Sequence, residues 1–521
     1  MNIKQNHKGV KIQKELFHFI KHMDSVENYR EDLLELSGSW DNLTIMGQLG
    51  HTNIDMKSTK NSFGKLTEEL LSHLAMETLK KTVREMTAKA QISVDIVIRN
   101  LFERTADIGF LATDEDIRYF LQNTKSKYDS SYEKNMIKLK DRFQEYVKKY
   151  SVYFDIVLMD TKGNILVNLV DDLNINQSKD EVVNLVLNTN EDYVETYKYH
   201  DFTPQYKKTL VYSYKVTQTN DIDSETIGVL SLCFRFTDEM QGIFQDLINP
   251  STQECLMILD NKGSVIATSD QYHIPIGAKL ELVLNEIYKL VSFGGRYYIS
   301  KTCNTNGYQG FMGLGWYGHI MVPIEYAFTN NQENSIEIQE EVLQAILQYG
   351  DSFSNDLKQI PLQAQQIQNN LNRAVWNGNV SQSKDSSVDT GFSRLLLSEV
   401  AKTGDKTKNI FNSSIINLTK TMILNDTVSI ASLMVDIMDR NLYERANDCR
   451  WWALTSEFRT ILDTDILMKD DKDKLCSILT YINELYTVYT NLFIYDKDGA
   501  IVAVSQKSKS SLIGKNYQIH G

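Results

Sequence analysis

The chain has 521 residues, 42% of them apolar and 24% charged, with a formal net charge of −13 and a pI near 5.3. That length exceeds one hydrophobic core and calls for about two to four domains. The acidic balance repels phosphate backbones and excludes nucleic acid as a partner, while five scattered cysteines without a CxxC pair (Cys233, Cys255, Cys303, Cys449, Cys476) exclude a disulfide framework or a zinc knuckle and read as buried reduced thiols.

The opening segment carries no apolar signal core. No stretch approaches the ~18 uninterrupted apolar residues of a membrane span. A cytoplasmic chain without a membrane span is therefore expected. Residues 1–64 are polar and irregular, offering helical pieces but no motif. Residues 65–105 and 132–149 space their apolar side chains at i, i+3, i+4, which predicts long amphipathic helices.

Three segments then share one pattern: FDIVLMDTKGNILV (154–167), CLMILDNKGSVIAT (255–268) and NLFIYDKDGAIVAV (491–504). Each is an apolar run, a D-x-x-G turn and a second apolar run, which predicts a β-hairpin. The aspartate bonds nearby backbone amides and the glycine supplies positive φ. Strand candidates follow the first hairpin at 210–216 and 226–236, and the second at 290–302 and 315–324, so each set builds a small antiparallel sheet. Residues 334–375 read as one or two amphipathic helices, residues 376–410 as a linker, and residues 411–465 as a further long helix. A second repeat lies on the helices. RNLFERTAD (99–107) returns as RNLYERAND (440–448). Arg99 and Glu103, and Asn100 and Arg104, are spaced to share a helix face, which favours a scaffold role.

A long helix followed by two such sheets resembles the double Cache, PAS-like sensory family. The hairpin IVLMDTKGNILVN, the strand GVLSLCFRF and the closing run LGWYGHIMVPIEYAF carry the resemblance over about residues 75–328, and a second, partial copy covers about 415–521. The fold implied is α+β, with long helices and PAS-like antiparallel sheets. Its domains divide as 1–64, an N-terminal helical region; 65–147, the long helices; 148–240 and 250–328, the two sheets; 329–410, a helical connector and linker; and 411–521, the partial second module. The resemblance also implies a non-catalytic sensor that binds a small molecule and relays the event to a signalling partner, in chemotaxis or a similar pathway, as a homodimer through its long N-terminal helix. A structural or adaptor protein with filled pockets is the alternative. The amino-acid-sensing subset has R-x-W-Y where this chain reads EDYVETYKYHDF, and an aspartate near the position of Cys233.

Candidate ligand residues cluster around the first sheet: Tyr153, Tyr193, Tyr197, Tyr212 and Tyr214, with Arg235 on its last strand. Tyrosine gives an apolar wall with a polar tip, suited to a small polar ligand, and an arginine suits a carboxylate. His200 beside Asp201 suggests a titrating pair, and Trp451 with Trp452 reads as core. No nucleophile elbow, P-loop, HExxH or dinucleotide fingerprint occurs, and 463–474 lacks the glycine and glutamate of an EF-hand. Neither catalytic residues nor metal ligands nor a cofactor are expected.

Overall fold

The three D-x-x-G turns fold alike. Asp160 Oδ1 accepts from the amides of Lys162 and Asn164 at 2.9 and 2.8 Å. Asp260 does the same for Lys262 and Ser264 at 2.9 and 2.8 Å, and Asp496 for Asp498 and Ala500 at 2.9 Å each. Gly163, Gly263 and Gly499 take φ of 79°, 73° and 82°, which a side chain would disfavour. These turns belong to a computed structural model that describes residues 4–49, 56–123, 132–170, 175–220, 224–248, 250–329, 339, 341–342, 345–346, 353–382, 390–464 and 466–516.

The elements in chain order are β1 (Lys4–His7), β2 (Val10–Gln13), α1 (Phe17–Ile20), α2 (Asp24–Leu49), α3 (Met56–Ala112), α4 (Glu115–Asn123), α5 (Tyr132–Lys149), β3 (Tyr153–Met159), β4 (Ile165–Val167), α6 (Glu181–Asn188), β5 (Tyr193–Lys198), β6 (Thr209–Thr217), β7 (Thr226–Phe234) and α7 (Phe236–Leu247). The second half continues with β8 (Cys255–Leu259), β9 (Val265–Thr268), β10 (Lys289–Phe293), β11 (Arg296–Asn304), β12 (Tyr317–Pro323), α8 (Asn355–Gln382), α9 (Thr390–Trp452), α10 (Ser456–Leu462), α11 (Lys469–Leu485), β13 (Phe493–Tyr495) and β14 (Ile501–Val504). The first sheet runs β4-β3-β7-β6-β5 and the second β9-β8-β12-β11-β10, every pair antiparallel. The two orders are the same: hairpin first, last strand beside the first. The third hairpin forms only the pair β13-β14. This is the α+β build expected from the sequence, including the long helices.

Two expectations need correction. Where the structure describes them, residues 1–64 are not irregular: they hold a hairpin, all of α2 and the start of α3. Val26, Leu33 and Trp40 recur every seven residues on α2 and are buried, an apolar seam that the polar residues between them hide from composition. The linker reading of 376–410 also fails where the structure describes it. Residues 376–382 finish α8 and 390–410 begin α9; residues 383–389 lie outside the described residues, as does most of 330–352. Leu396, Leu397 and Val400 are buried, so tertiary packing makes helix of a segment whose Ser and Gly content reads as loop.

α2, α3, α8 and α9 pack together as helices. Trp40 stacks on Phe63, and Phe63 on Phe411, with ring centroids 5.7 and 6.2 Å apart. Beyond this bundle α3 runs under both sheets. Its Ala90, Val94, Val97 and Ile98 are buried where it meets β8, β11 and β12, and its last turns meet β6. One large core follows α3, and each sheet has a smaller apolar cluster of its own. No described helix is long and apolar enough to cross a membrane.

Candidate functional site

Alternation along an edge hairpin builds the first candidate. Tyr193, Glu195 and Tyr197 are two residues apart on β5 and point to one face. β6 pairs with β5 so that Tyr193 lies opposite Tyr214, Glu195 opposite Tyr212 and Tyr197 opposite Leu210. Four tyrosines thus surround one carboxylate. Tyr212 is fully buried; Tyr193, Glu195, Tyr197 and Tyr214 are half-buried. The Tyr212 hydroxyl donates to Glu195 Oε1 at 2.7 Å, and the Tyr193 and Tyr212 rings are 6.4 Å apart. Burial pushes the Glu195 carboxyl up to about 7, against the pull of the Tyr212 hydroxyl. Burial likewise raises Tyr193, Tyr197 and Tyr214 to about 12, so their hydroxyls remain donors. Tyr197 packs 5.4 Å from Trp316, which precedes β12, and Lys208 Nζ lies 5.7 Å from the Tyr197 ring centre. Tyr197 therefore joins the two sheets and carries the chain's own Lys208 ammonium near its aromatic face.

The structure brings Tyr193, Tyr197, Tyr212 and Tyr214 together, turns the hydroxyl of neighbouring Tyr153 away to Asp107, and sets Arg235 apart. Tyr153 starts β3 and donates to Asp107 Oδ2 at 2.6 Å. Arg235 is exposed, and its Nε donates to the Tyr153 carbonyl at 3.2 Å. The His200–Asp201 pair is corrected. His200 Nδ1 lies 2.9 Å from Asp180 Oδ2, whereas Asp201 accepts from Ser178 Oγ and the Lys179 amide. Glu195 went unread in the sequence, although its place between Tyr193 and Tyr197 on an alternating strand was the available signal.

A second polar centre lies where the two RNL[FY]ER copies meet. Arg104 is buried and reaches Glu444 Oε2 at 3.4 Å and Asp107 Oδ2 at 3.4 Å, while Arg445 bonds Glu103. The pairing is reciprocal: the arginine of each copy meets the glutamate of the other. A Tyr-x-Val-Tyr run repeats beside it, at 150–153 and 486–489. Tyr150 donates to Glu444 Oε2 at 2.7 Å and Tyr486 to Asp107 Oδ1 at 2.7 Å, each crossing to the other copy. Tyr489 donates to Asp448 Oδ2 at 2.6 Å, as Tyr153 does to Asp107. Trp451 packs on Tyr146 and Trp452 on Tyr486, at 4.7 and 4.9 Å between ring centres. Two guanidiniums thus face four carboxylates, Glu103, Asp107, Glu444 and Asp448. Burial drives the Asp448 carboxyl up to about 7 and raises Glu103 and Asp107, which relieves that excess. These contacts tie α3 to α9 within one chain.

Among the described residues, no group of three or more His, Cys, Asp or Glu side chains is placed to hold a metal ion. No family model matches the chain, and no curated protein matches it. Solved structures do. The sensor domain of the Vibrio cholerae histidine kinase DctB is similar over 46% of this chain and 96% of its own, at 11% identity and a TM-score of 0.34. The ligand-binding domain of the Pseudomonas fluorescens chemoreceptor CtaA, in complex with L-isoleucine, is similar over 48% and 95%, at 10% identity and a TM-score of 0.33. That of the Pseudomonas aeruginosa amino-acid chemoreceptor PctB, in complex with L-Gln, is similar over 48% and 98%, at 14% identity and a TM-score of 0.29. The long helix carrying two antiparallel sheets of one strand order is the α+β arrangement that the resemblance in the sequence implies.

Proposed function

We propose that this chain is a non-catalytic sensor whose first sheet binds a small amine-bearing molecule at the tyrosine-lined edge of β5 and β6 and relays the event through α3. The observation that carries the reading is Glu195, a half-buried carboxylate hydrogen-bonded to Tyr212 and bordered by Tyr193, Tyr197 and Tyr214. A carboxylate and tyrosine faces together recognise a cation by charge and by quadrupole. The relay has a physical path. Tyr214 lies against Gly109 of α3, and Tyr153 of the same sheet is tied to Asp107. Asp107 in turn accepts from Tyr486, so a shift of the sheet against α3 is felt by the second copy. A signalling protein that reads the helices is the partner this reading requires.

One observation favours the structural or adaptor alternative. The outer face of the first sheet is filled by Val157, Met159, Val183, Phe202, Val211 and Cys233, all buried. The test is a thermal-shift screen of the whole chain against amines, amino acids, organic acids, purines and sugars. A ligand at a hundred times its Kd adds about 2.7 kcal/mol, a rise of several degrees in Tm. A rise confined to amine-bearing compounds, lost in Glu195→Gln, supports the sensor. A rise with anions alone overturns the amine reading, and a cooperative melt unmoved by the whole panel favours the adaptor. The pH dependence follows from the carboxyl at about 7. The ionised form binds the cation, so affinity rises as pH climbs through 7, and Glu195→Gln removes that slope.

A further inference from the structure

An open groove of about 700 Å³ lies where α3 meets the N-terminal segment and the loop entering β10. Met76, Leu79 and Val83 line it from one face of α3, Leu16 from the segment before α1, and Ile287 and Tyr288 from the loop. Leu16, Leu79 and Val83 are buried beneath it. The walls are fixed in place. The Tyr288 ring meets Phe19 edge-on with centroids 5.8 Å apart, and Phe19 meets Phe328 in the same way at 6.0 Å. Lys301 Nζ donates to the Glu286 carbonyl at 2.7 Å, and Gln91 Nε2 donates to the Asn304 carbonyl at 2.7 Å, which holds α3 to the end of β11.

Two polar groups on this lining are unclaimed. Arg84 is exposed and has no ion pair or hydrogen bond among the described residues. The Tyr288 hydroxyl has no hydrogen-bond partner among them either. Burial raises its pKa and the nearby Glu15 carboxylate adds to the effect, so it stays a donor. The lining carries two cations, Lys80 and Arg84, against one acid, Glu15, which is exposed to water. Lys80 is already held by Glu77 at 2.8 Å, which leaves Arg84 to bind an anion. A largely apolar lining with a free guanidinium and a free hydroxyl donor selects an apolar tail that ends in a carboxylate.

We propose that this groove binds a medium-chain fatty acid, with its carboxylate on Arg84 and its tail along α3 toward Met76. The apolar residues of α3 lie on that side of Arg84, whereas Thr87 and Gln91 lie on the other. From Arg84 to Met76 the helix rises about 12 Å, the reach of a decanoate tail. The site is separate from the one at Glu195: Arg84 lies about 37 Å along α3 from Gly109, where Tyr214 rests.

The experiment titrates decanoate into the unaltered chain by calorimetry and maps the bound state by hydrogen exchange. Decanol, decylamine, hexanoate and phosphatidylcholine vesicles are titrated beside it. Decanoate should bind at least about ten-fold tighter than decanol, the scale of a charge-assisted hydrogen bond. Affinity should fall by up to about four-fold for each methylene lost toward hexanoate. Exchange should slow over residues 284–288 and stay unchanged in β5 and β6. Arg84→Gln should weaken decanoate by about ten-fold, Arg84→Lys should recover part of the loss, and Ala88→Trp should fill the groove and abolish binding. Both positions are exposed, so Tm should hold in all three variants. Decanol or decylamine binding as tightly as decanoate overturns the proposal, as does binding to the vesicles without binding to decanoate. So does the absence of heat from decanoate at either of two temperatures. Decanoate binding that is lost in Glu195→Gln, or that survives both Arg84→Gln and Ala88→Trp, places the acid elsewhere and overturns it too.

Discussion

The two copies of RNL[FY]ER make a comparison inside one chain: nearly the same motif, placed in two environments. Arg104 is fully buried, touching Glu444, Asp107 and the Tyr150 ring, whereas Arg445 is half-buried on Glu103 and Tyr489. The difference shows that a repeated motif fixes which groups can pair, while the surrounding layers decide what each pair contributes. The sharpest way to break the symmetry is to remove each arginine in turn. Arg104→Leu leaves Asp107 and Glu444 buried without a counter-charge and should cost about 3–5 kcal/mol, the scale seen when one partner of a buried ion pair is removed. Arg445→Leu takes from Glu103 and Asp448, which are as deeply buried, a guanidinium that is itself only half-buried, and should cost about 1–3 kcal/mol. Urea unfolding measures both, and equal losses would show that the two environments are energetically alike.

The excess of carboxylates at the junction gives the next effect. Burial is the largest cause that sets Asp448 at about 7, with the Tyr489 hydroxyl and Arg445 pulling it down. In the unfolded chain an aspartate titrates near about 3.9. The folded state therefore holds the proton more tightly, and this contribution is whole below about pH 4 and is lost as pH rises through 7. Asp448→Asn removes the term, so the stability of the variant relative to the parent should climb between pH 5 and 8, by on the order of 2 kcal/mol. A relative stability that stays level over that range would show Asp448 ionised throughout.

Local signals in the sequence carried much of this fold. The D-x-x-G hairpins, the helices over 65–105 and 132–149 and the paired motifs at 99–107 and 440–448 all follow from neighbours within a few residues. What lay beyond it depends on distance along the chain. Arg104 meets Glu444 across 340 residues, and no periodicity announces such a pair. The Tyr-x-Val-Tyr repeat was present as letters, but its meaning depends on both copies converging on Asp107 and Asp448. α2 and the start of α9 were missed because their helicity comes from burial in the bundle, with Val26, Trp40, Leu397 and Phe411 inside, and not from local propensity. For the candidate site, alternation put Tyr212 and Tyr214 on one face, whereas the register that adds Tyr193, Tyr197 and Glu195 needed the β5–β6 pairing itself.

The smallest effect separates the copies most cleanly. Val94 and Val435 stand at the same offset before the repeat, and both are valines on a helix face. Val94 is fully buried beneath the second sheet, so Val94→Ala removes two methyl groups from a packed interface and should cost roughly 2 kcal/mol. Val435 is 56% exposed, so Val435→Ala removes methyl groups already in water and should change stability by less than about 0.5 kcal/mol. The slightly better helix propensity of alanine pushes the same way. The pair differs in environment alone, which is why a small number is informative. If Val435→Ala cost as much as Val94→Ala in the 521-residue chain, this face of α9 would already be covered in solution, and concentration dependence of that cost would identify the cover as a second copy.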